Sequence, residues 1–367
     1  MQRDSLAVAA RGRVFKADRL QSGARNFCVR RGACPACSMT APSHRFCVAP
    51  MMDWTDRHCR FFLRQVSRHA RLYTEMVTAP ALMHGDVPRH LDFDPAEHPV
   101  ALQLGGSDPR ELAHAAKLGA LWGYDEINLN CGCPSERVQT GSFGACLMAE
   151  PRIVADCVRA MRDVVAVPVT VKHRIGLDAN EDYGFVRDFV GIVADAGCSV
   201  FIVHARNAVL KGLSPKENRE VPRLRYEVVH RLKREFTALT IVINGGLTAW
   251  PAIERELAVV DGVMLGRAAY HDPMILAPAD WHVFGDESPP PSRATVLRAM
   301  LPYVAAQRAR GVPLRSIARH MLGLYHGMPG GRRFRQILSD AARLDGAGPE
   351  LLDEALRAVE PALDTAE

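Results

Sequence analysis

Eight short apolar runs recur between Phe46 and Arg267: Phe46–Met51, Leu72–Val77, Val100–Gly105, Glu126–Cys131, Pro168–Arg174, Val200–Arg206, Thr240–Gly246 and Gly262–Arg267. Between several of them the apolar residues repeat at three- and four-residue steps instead, as in Glu111–Gly123 and Arg152–Val164, which is the period of an amphipathic helix. Strands alternating with helices predict a parallel sheet, and eight such units in about 220 residues predict a closed (β/α)8 TIM barrel rather than an open doubly wound sheet. The trailing ends of the runs carry polar residues: Gln103, Asn130, Lys172, His204, Asn244 and Arg267. In such a barrel those ends open onto the active-site face.

After Pro289–Pro291 the pattern turns helical throughout, over residues 294–311, 316–327, 334–344 and 350–360. The predicted organisation is a basic extension over 1–43, a barrel over 44–288 and a helical bundle over 289–367.

The 367 residues are 48% apolar and 24% charged, which excludes a disordered, collagen-like or disulfide-scaffold chain. No run approaches the ~18 apolar residues of a spanning helix. Ten cysteines lie within the first 198 residues without a regular framework, as expected of free thiols in a reducing cytoplasm. The net charge of +5 is unevenly spread. Residues 1–43 carry eight Lys/Arg against two acids, while residues 290–343 carry ten Arg against one acid. An Arg-dense block on a near-neutral body is the electrostatic footprint of a phosphate-rich partner. The first 43 residues lack the apolar core of a signal peptide and read as a disordered basic arm, with Met39 a plausible alternative start.

The strand-end residues converge on one kind of ligand. Asn244-Gly245-Gly246 and Gly266-Arg267 end the last two runs, where barrels commonly hold a phosphate, while Gln103, Lys172 and His204 can meet the polar edge and ribityl chain of a flavin. No G-x-G-x-x-G opens a Rossmann unit and no Walker loop is present. Singly these features are weak, since an NGG is more often a turn and a strand-end lysine an ordinary ion pair; their shared position gives them weight. In NLNCGCPS (Asn128–Ser135), Cys133 follows the fourth run on a Gly-Cys-Pro turn, where a thiol can donate a proton to a carbon centre. The alternative for a free cysteine is a small buried hydrophobe. Neither Cys131-x-Cys133 nor Cys34-x-x-Cys37 has the companions of a zinc site, so no metal is expected.

APMMDWTD (Ala49–Asp56), LYTEMV, ALQLGG, NLNCGCPS, RVQTGSFGACLM (Arg137–Met148), VKHRIG (Val171–Gly176), HARNAVLKGLSPKENRE (His204–Glu220) and INGG (Ile243–Gly246) together resemble the tRNA-dihydrouridine synthase family, specifically its A-type branch. The likeness runs from about Phe46 into the C-terminal helices. It implies a (β/α)8 flavoenzyme with a helical C-terminal domain that uses FMN, with NADPH as reductant, to reduce the C5–C6 bond of D-loop uridines 20 and 20a in tRNA. By the same resemblance Pro50, Met51, Met52, Gln103, Lys172, His204, Asn244, Gly245, Gly246, Gly266 and Arg267 hold FMN. Cys133 is the catalytic proton donor, and Asn130, Lys216, Arg219, Arg332 and Arg335 contact tRNA. Cys131, often apolar in relatives, is a thiol two residues from the donor and a possible source of false rescue. The expected enzyme is a cytoplasmic, membrane-free monomer. Its rivals are a flavin barrel reducing a free pyrimidine, similar to dihydroorotate dehydrogenase, and a non-catalytic tRNA-binding protein.

Overall fold

The computed structural model describes residues 43–135, 141 and 143–359. The basic extension up to residue 42, with Cys34 and Cys37, lies outside the described residues, as do motif residues 136–140 and 142 and the last eight residues.

Eight parallel strands close into a ring: β1 (Phe46–Val48), β2 (Arg71–Tyr73), β3 (Val100–Gly105), β4 (Glu126–Cys131), β5 (Val169–Arg174), β6 (Val200–His204), β7 (Thr240–Asn244) and β8 (Gly262–Leu265). Each pairs with the next, and β8 pairs with β1 through Phe46↔Val263 and Val48↔Leu265, so no edge remains. A two-residue strand, Val77–Thr78, adds to β3. Most strands are shorter than the apolar runs that predict them, because the trailing residues leave the ladder to form the mouth.

Period-two alternation sorts the side chains. Ile127, Leu129 and Cys131 on β4 join the large apolar layer between barrel and helices, whereas Cys47, Ala49, Tyr73, Ala101, Val200, Ile202, Val242 and Met264 form a separate apolar cluster. That second cluster is the barrel lumen, completed by the polar Gln103, Asn128 and Thr170, all buried. Cys131 therefore packs against helices, away from the mouth, and burial pushes its thiol well above the ordinary range; it is not placed to substitute for Cys133.

The outer layer contains α1 (Arg57–Val66), α2 (Pro109–Trp122), α3 (Pro151–Arg162), α4 (Tyr183–Asp195), α5 (Tyr226–Glu235) and α6 (Trp250–Leu257). Their ends follow local chemistry. The Asp108 carboxylate accepts from the Arg110 and Glu111 amides to start α2, and Gly123, at φ 94°, ends it in the left-handed region.

The segment after the prolines packs on the barrel through α1. In α7 (Arg293–Ala309) Tyr303 stacks on Phe61 at 3.8 Å between ring centroids, and its hydroxyl lies 2.7 Å from the His58 Nδ1. The described residues form one compact unit. The helix expected over 316–327 is instead the short α8 (Leu314–Ala318) followed by turns. A Cβ at Gly323 would collide with the His271 carbonyl, and Gly327 and Gly330 have φ of 71° and 74°, so close backbone approach overrides the apolar period. α9 (Gly331–Ser339) ends at Asp340, which caps a separate short turn of helix, and α10 (Glu350–Arg357) closes the described chain. No helix among the described residues is long and apolar enough to cross a membrane.

Candidate active site

At the C-terminal mouth of the barrel lies a cavity of about 570 Å³. It is within the range of roughly 300–1,000 Å³ typical of cofactor sites. All of the strand-end residues singled out above line it: Pro50, Met51, Met52, Gln103, Asn130, Cys133, Lys172, His204, Asn244, Gly245, Gly246, Gly266, Arg267 and, from the β6 loop, Arg219. Lys216 sits exposed on that loop outside the lining, and Arg332 and Arg335 are exposed on α9, away from the cavity, while Phe334 and Ile337 of the same helix are buried.

Barrel geometry accounts for the convergence. Gln103 pairs with Asn128 across β3 and β4, Asn130 with Lys172 across β4 and β5, and His204 with Asn244 across β6 and β7, so alternate residues reach one end. The same rule identifies residues that the sequence reading missed. Arg174 lies two positions beyond Lys172 on the same face and also lines the cavity, as do Met76, Asp53, Trp54 and Pro215. Strand alternation alone would have flagged Arg174.

Cys133 is half-buried, held by its surroundings from both sides. Its amide and that of Gly132 donate to Asn130 Oδ1 at 3.0 and 2.9 Å, and its carbonyl accepts from the Ala145 amide at 2.9 Å. Arg174 fastens the same turn to the β6 loop: its Nε donates to the Gly132 carbonyl at 3.2 Å, and its Nη1 to the carbonyls of Asn207 at 3.2 Å and Asn218 at 2.9 Å. Fully buried Asn218 organises that loop in turn, donating to Val209, Leu213 and Ser214 carbonyls and accepting from the Val209 amide. The SPKENRE stretch thus owes its shape to its asparagine, which leaves Lys216 and Arg219 on the rim.

The electrostatics are one-sided. Lys172, Arg174, Arg219 and Arg267 line the cavity against one carboxylate, Asp53, although Arg267 is also paired at 2.5 Å with Glu220 just outside it. Burial, then repulsion from Arg174 and Arg219, pushes the Lys172 ammonium down to about 7, and burial with the surrounding cations brings Arg174 down to about 9. Burial followed by Arg174 and Lys172 keeps His204 neutral, well below the usual histidine range. Such a site is electrostatically incomplete and gains from an anion.

The backbone makes room for one. Gly245 and Gly246 have φ of 115° and 70°; a Cβ on Gly245 would meet His204 Cδ2 at 2.8 Å, and one on Gly246 would collide with Leu224. Tyr226 pins this turn, donating to the Gly245 carbonyl at 2.5 Å, and Asn244 spends its amide on the Met264 carbonyl at 2.7 Å. A cationic, glycine-rich cradle beside an uncharged histidine and two carboxamides fits the phosphate and heterocycle of FMN.

The family model described as dihydrouridine synthase (Dus) matches residues 47–360. A tRNA-dihydrouridine(20/20a) synthase of Pseudomonas aeruginosa is 58% identical over 305 residues, 83% of this chain and 92% of that protein. One of Salmonella typhimurium is 54% identical over 323 residues, 88% and 97% of the two chains. Among solved structures, morphinone reductase in complex with tetrahydroNAD aligns at TM-score 0.44 and 13% identity, covering 69% of this chain and 90% of that one.

Proposed function

The chain belongs to the dihydrouridine synthase family, and from that membership we propose that it is an FMN-dependent, NADPH-driven enzyme that saturates the C5–C6 bond of tRNA D-loop uridines, at positions 20 and 20a. The observation that carries the reading is that Cys133 lines the same cavity as the cationic glycine cradle formed by Lys172, Asn244–Gly246 and Gly266–Arg267. The relatives' names support the substrate and positions.

Bound in the cavity, reduced FMN would supply the hydride that saturates uracil C6, chemistry no side chain carries. Pro50, Met51, Met52, Gln103, Lys172, His204, Asn244, Gly245, Gly246, Gly266 and Arg267 would hold it, with Lys172 and Arg267 offsetting its negative charge. Cys133 supplies the proton at C5: its S–H bond breaks as the C–H bond forms, and the thiolate regains a proton from water. The Asn130 acceptor and the Arg174 strap hold the turn that aims the sulfur.

A uridine packed in the tRNA elbow must leave its stack, at a cost of a few kcal/mol. Arg332, Arg333 and Arg335 on the helical segment 289–367, with Asn130, Lys216 and Arg219 nearer the mouth, offset that cost by contacts to the RNA. The setting is the cytoplasm and the protein acts as a monomer.

The test is to purify the full chain and identify any bound flavin, and to map dihydrouridine in tRNA from cells lacking the gene, before and after complementation. Dihydrouridine returning at 20 and 20a with an FMN-loaded protein is expected. A colourless protein that does not bind FMN, or reduction of free uracil without reduction of tRNA, overturns the reading.

A further inference from the structure

The barrel lumen contains a run of side-chain hydrogen bonds whose direction is fixed at the end opposite the cavity and matched at the mouth, where the Gly132 and Cys133 amides can only donate. Glu126 opens β4, is fully buried, and lies 3.0 Å from Arg71 Nη1 and 2.7 Å from His44 Nε2. Burial alone would raise its carboxyl; His44 and Arg71 outweigh this and hold it down to about 2. An ionised carboxylate only accepts, so the Thr170 hydroxyl must donate to it, at 2.5 Å. With its one proton spent, Thr170 must accept from Asn128, and the Nδ2 lies 2.8 Å away. Asn128 Oδ1 then faces Gln103, whose Nε2 donates at 2.8 Å. Gln103 Oε1 accepts from Asn130 Nδ2 at 2.9 Å, and Asn130 Oδ1 is left to take the Gly132 and Cys133 amides. Each amide orientation follows from the one before it, and none is free to flip alone.

We propose that Glu126 and Thr170, neither of which lines the cavity, are positioning residues that, together with the Gly132 and Cys133 amides at the other end of the run, lock the polarity of Gln103 and Asn130 and the pose of the Cys133 turn. The chain leaves one N–H on each of the Gln103 and Asn130 amides for a ligand, so both positions offer a donor to an acceptor atom. The consequence for uridine reduction rests on the proposed function, but the arrangement of the Cys133 turn does not.

Thr170→Val keeps the shape and removes the relay, whereas Thr170→Ser keeps the hydroxyl. The experiment alkylates the full-length protein with iodoacetamide, reads Cys133 by peptide mass spectrometry, and measures FMN affinity by fluorescence quenching. Thr170→Val should alkylate Cys133 at least threefold faster than wild type and bind FMN at least tenfold more weakly, while Thr170→Ser stays within twofold on both. If Thr170→Val does not fold, Asn128→Asp, which cannot donate to Thr170, should show the same acceleration. Unchanged Cys133 alkylation in the folded variant, or equal effects of Ser and Val, overturns the inference. Faster alkylation in Thr170→Val of a protein whose wild type binds no FMN supports the relay and removes the cofactor reading.

Discussion

Asp56 and His320 are separated by 264 positions, yet Asp56 Oδ1 lies 3.0 Å from His320 Nε2. The same carboxylate caps α1, accepting from the His58 and Cys59 amides, and its Oδ2 takes a 2.7 Å hydrogen bond from Arg319 Nη2. Asp56 ends the loop that carries Pro50–Trp54 along the cavity. Trp54 stacks on Tyr270 at 4.3 Å, and the Tyr270 hydroxyl lies 3.2 Å from His320 Nδ1. The helical segment is thereby bonded to a wall of the site.

Removing that carboxylate should loosen both. Asp56→Ala forfeits a helix cap and strands His320, and we expect a loss of roughly 2–4 kcal/mol, read as a lower urea midpoint; Asp56→Asn should cost less. Burial would raise this carboxyl, but His320, the Cys59 amide and Arg319 outweigh it and hold it well below the usual range. A depressed folded-state value means the stabilisation is complete above the unfolded value near ~4 and fades as pH falls below it. Asp56→Asn should flatten that acid limb, and a limb as steep as wild type would contradict the assignment.

Cys133→Ala should leave FMN affinity unchanged and slow uridine reduction by about 10²–10⁴-fold, the usual worth of a positioned acid. Single-turnover oxidation of the reduced protein by tRNA measures it. Equal rates in the two proteins would remove Cys133 from the chemistry.

Lys172 ties ligand binding to pH. With its ammonium at about 7 in the free site, an anion that needs the charge binds best below that value. The FMN dissociation constant should rise by up to about tenfold per pH unit between 7 and 8.5, and Lys172→Met should abolish that slope. The sign for stability is the opposite: between about 7 and ~10.4 the unfolded chain holds a proton the folded one lacks, so this residue's contribution to stability grows with pH while anion binding weakens. Calorimetric titration across pH checks the first, and denaturation at matched pH the second.

Replacing Arg332 and Arg335 together by Ala should weaken tRNA binding and reduce the slope of log affinity against log salt by about 1.5–2, as two phosphate contacts are lost. Superimposable curves from filter binding across a salt series would leave these cations as solvated surface.

Much of the site was legible because strands alternate. Gln103, Asn130, Lys172, His204 and Asn244 end runs whose apolar residues place the barrel wall, and a polar residue ending such a run has only the mouth to face. Cys133 stood out by its Gly-Cys-Pro turn. Arg174 follows from the same alternation once Lys172 is placed inward, but VKHR by itself does not say which of its three cationic or titratable side chains turn in; the structure turns His173 outward to Phe189 and Phe201. The helix expected over 316–327 failed for a similar reason: its apolar period is genuine, but Gly323 is claimed by the backbone at His271.

By itself the sequence determined what is local or periodic: the alternation of strand and helix, the caps, the left-handed glycines and the chemical types present at each strand end. Tertiary structure decided what each polar group bonds to. Closing the ring sets Thr170, Asn128 and Gln103 in reach of one another, and Glu126, stripped of water there, is met by the Thr170 and Tyr73 hydroxyls and by its cations, so the direction of the hydrogen bonds from Thr170 to Gln103 is settled by packing across strands rather than by neighbours in the chain.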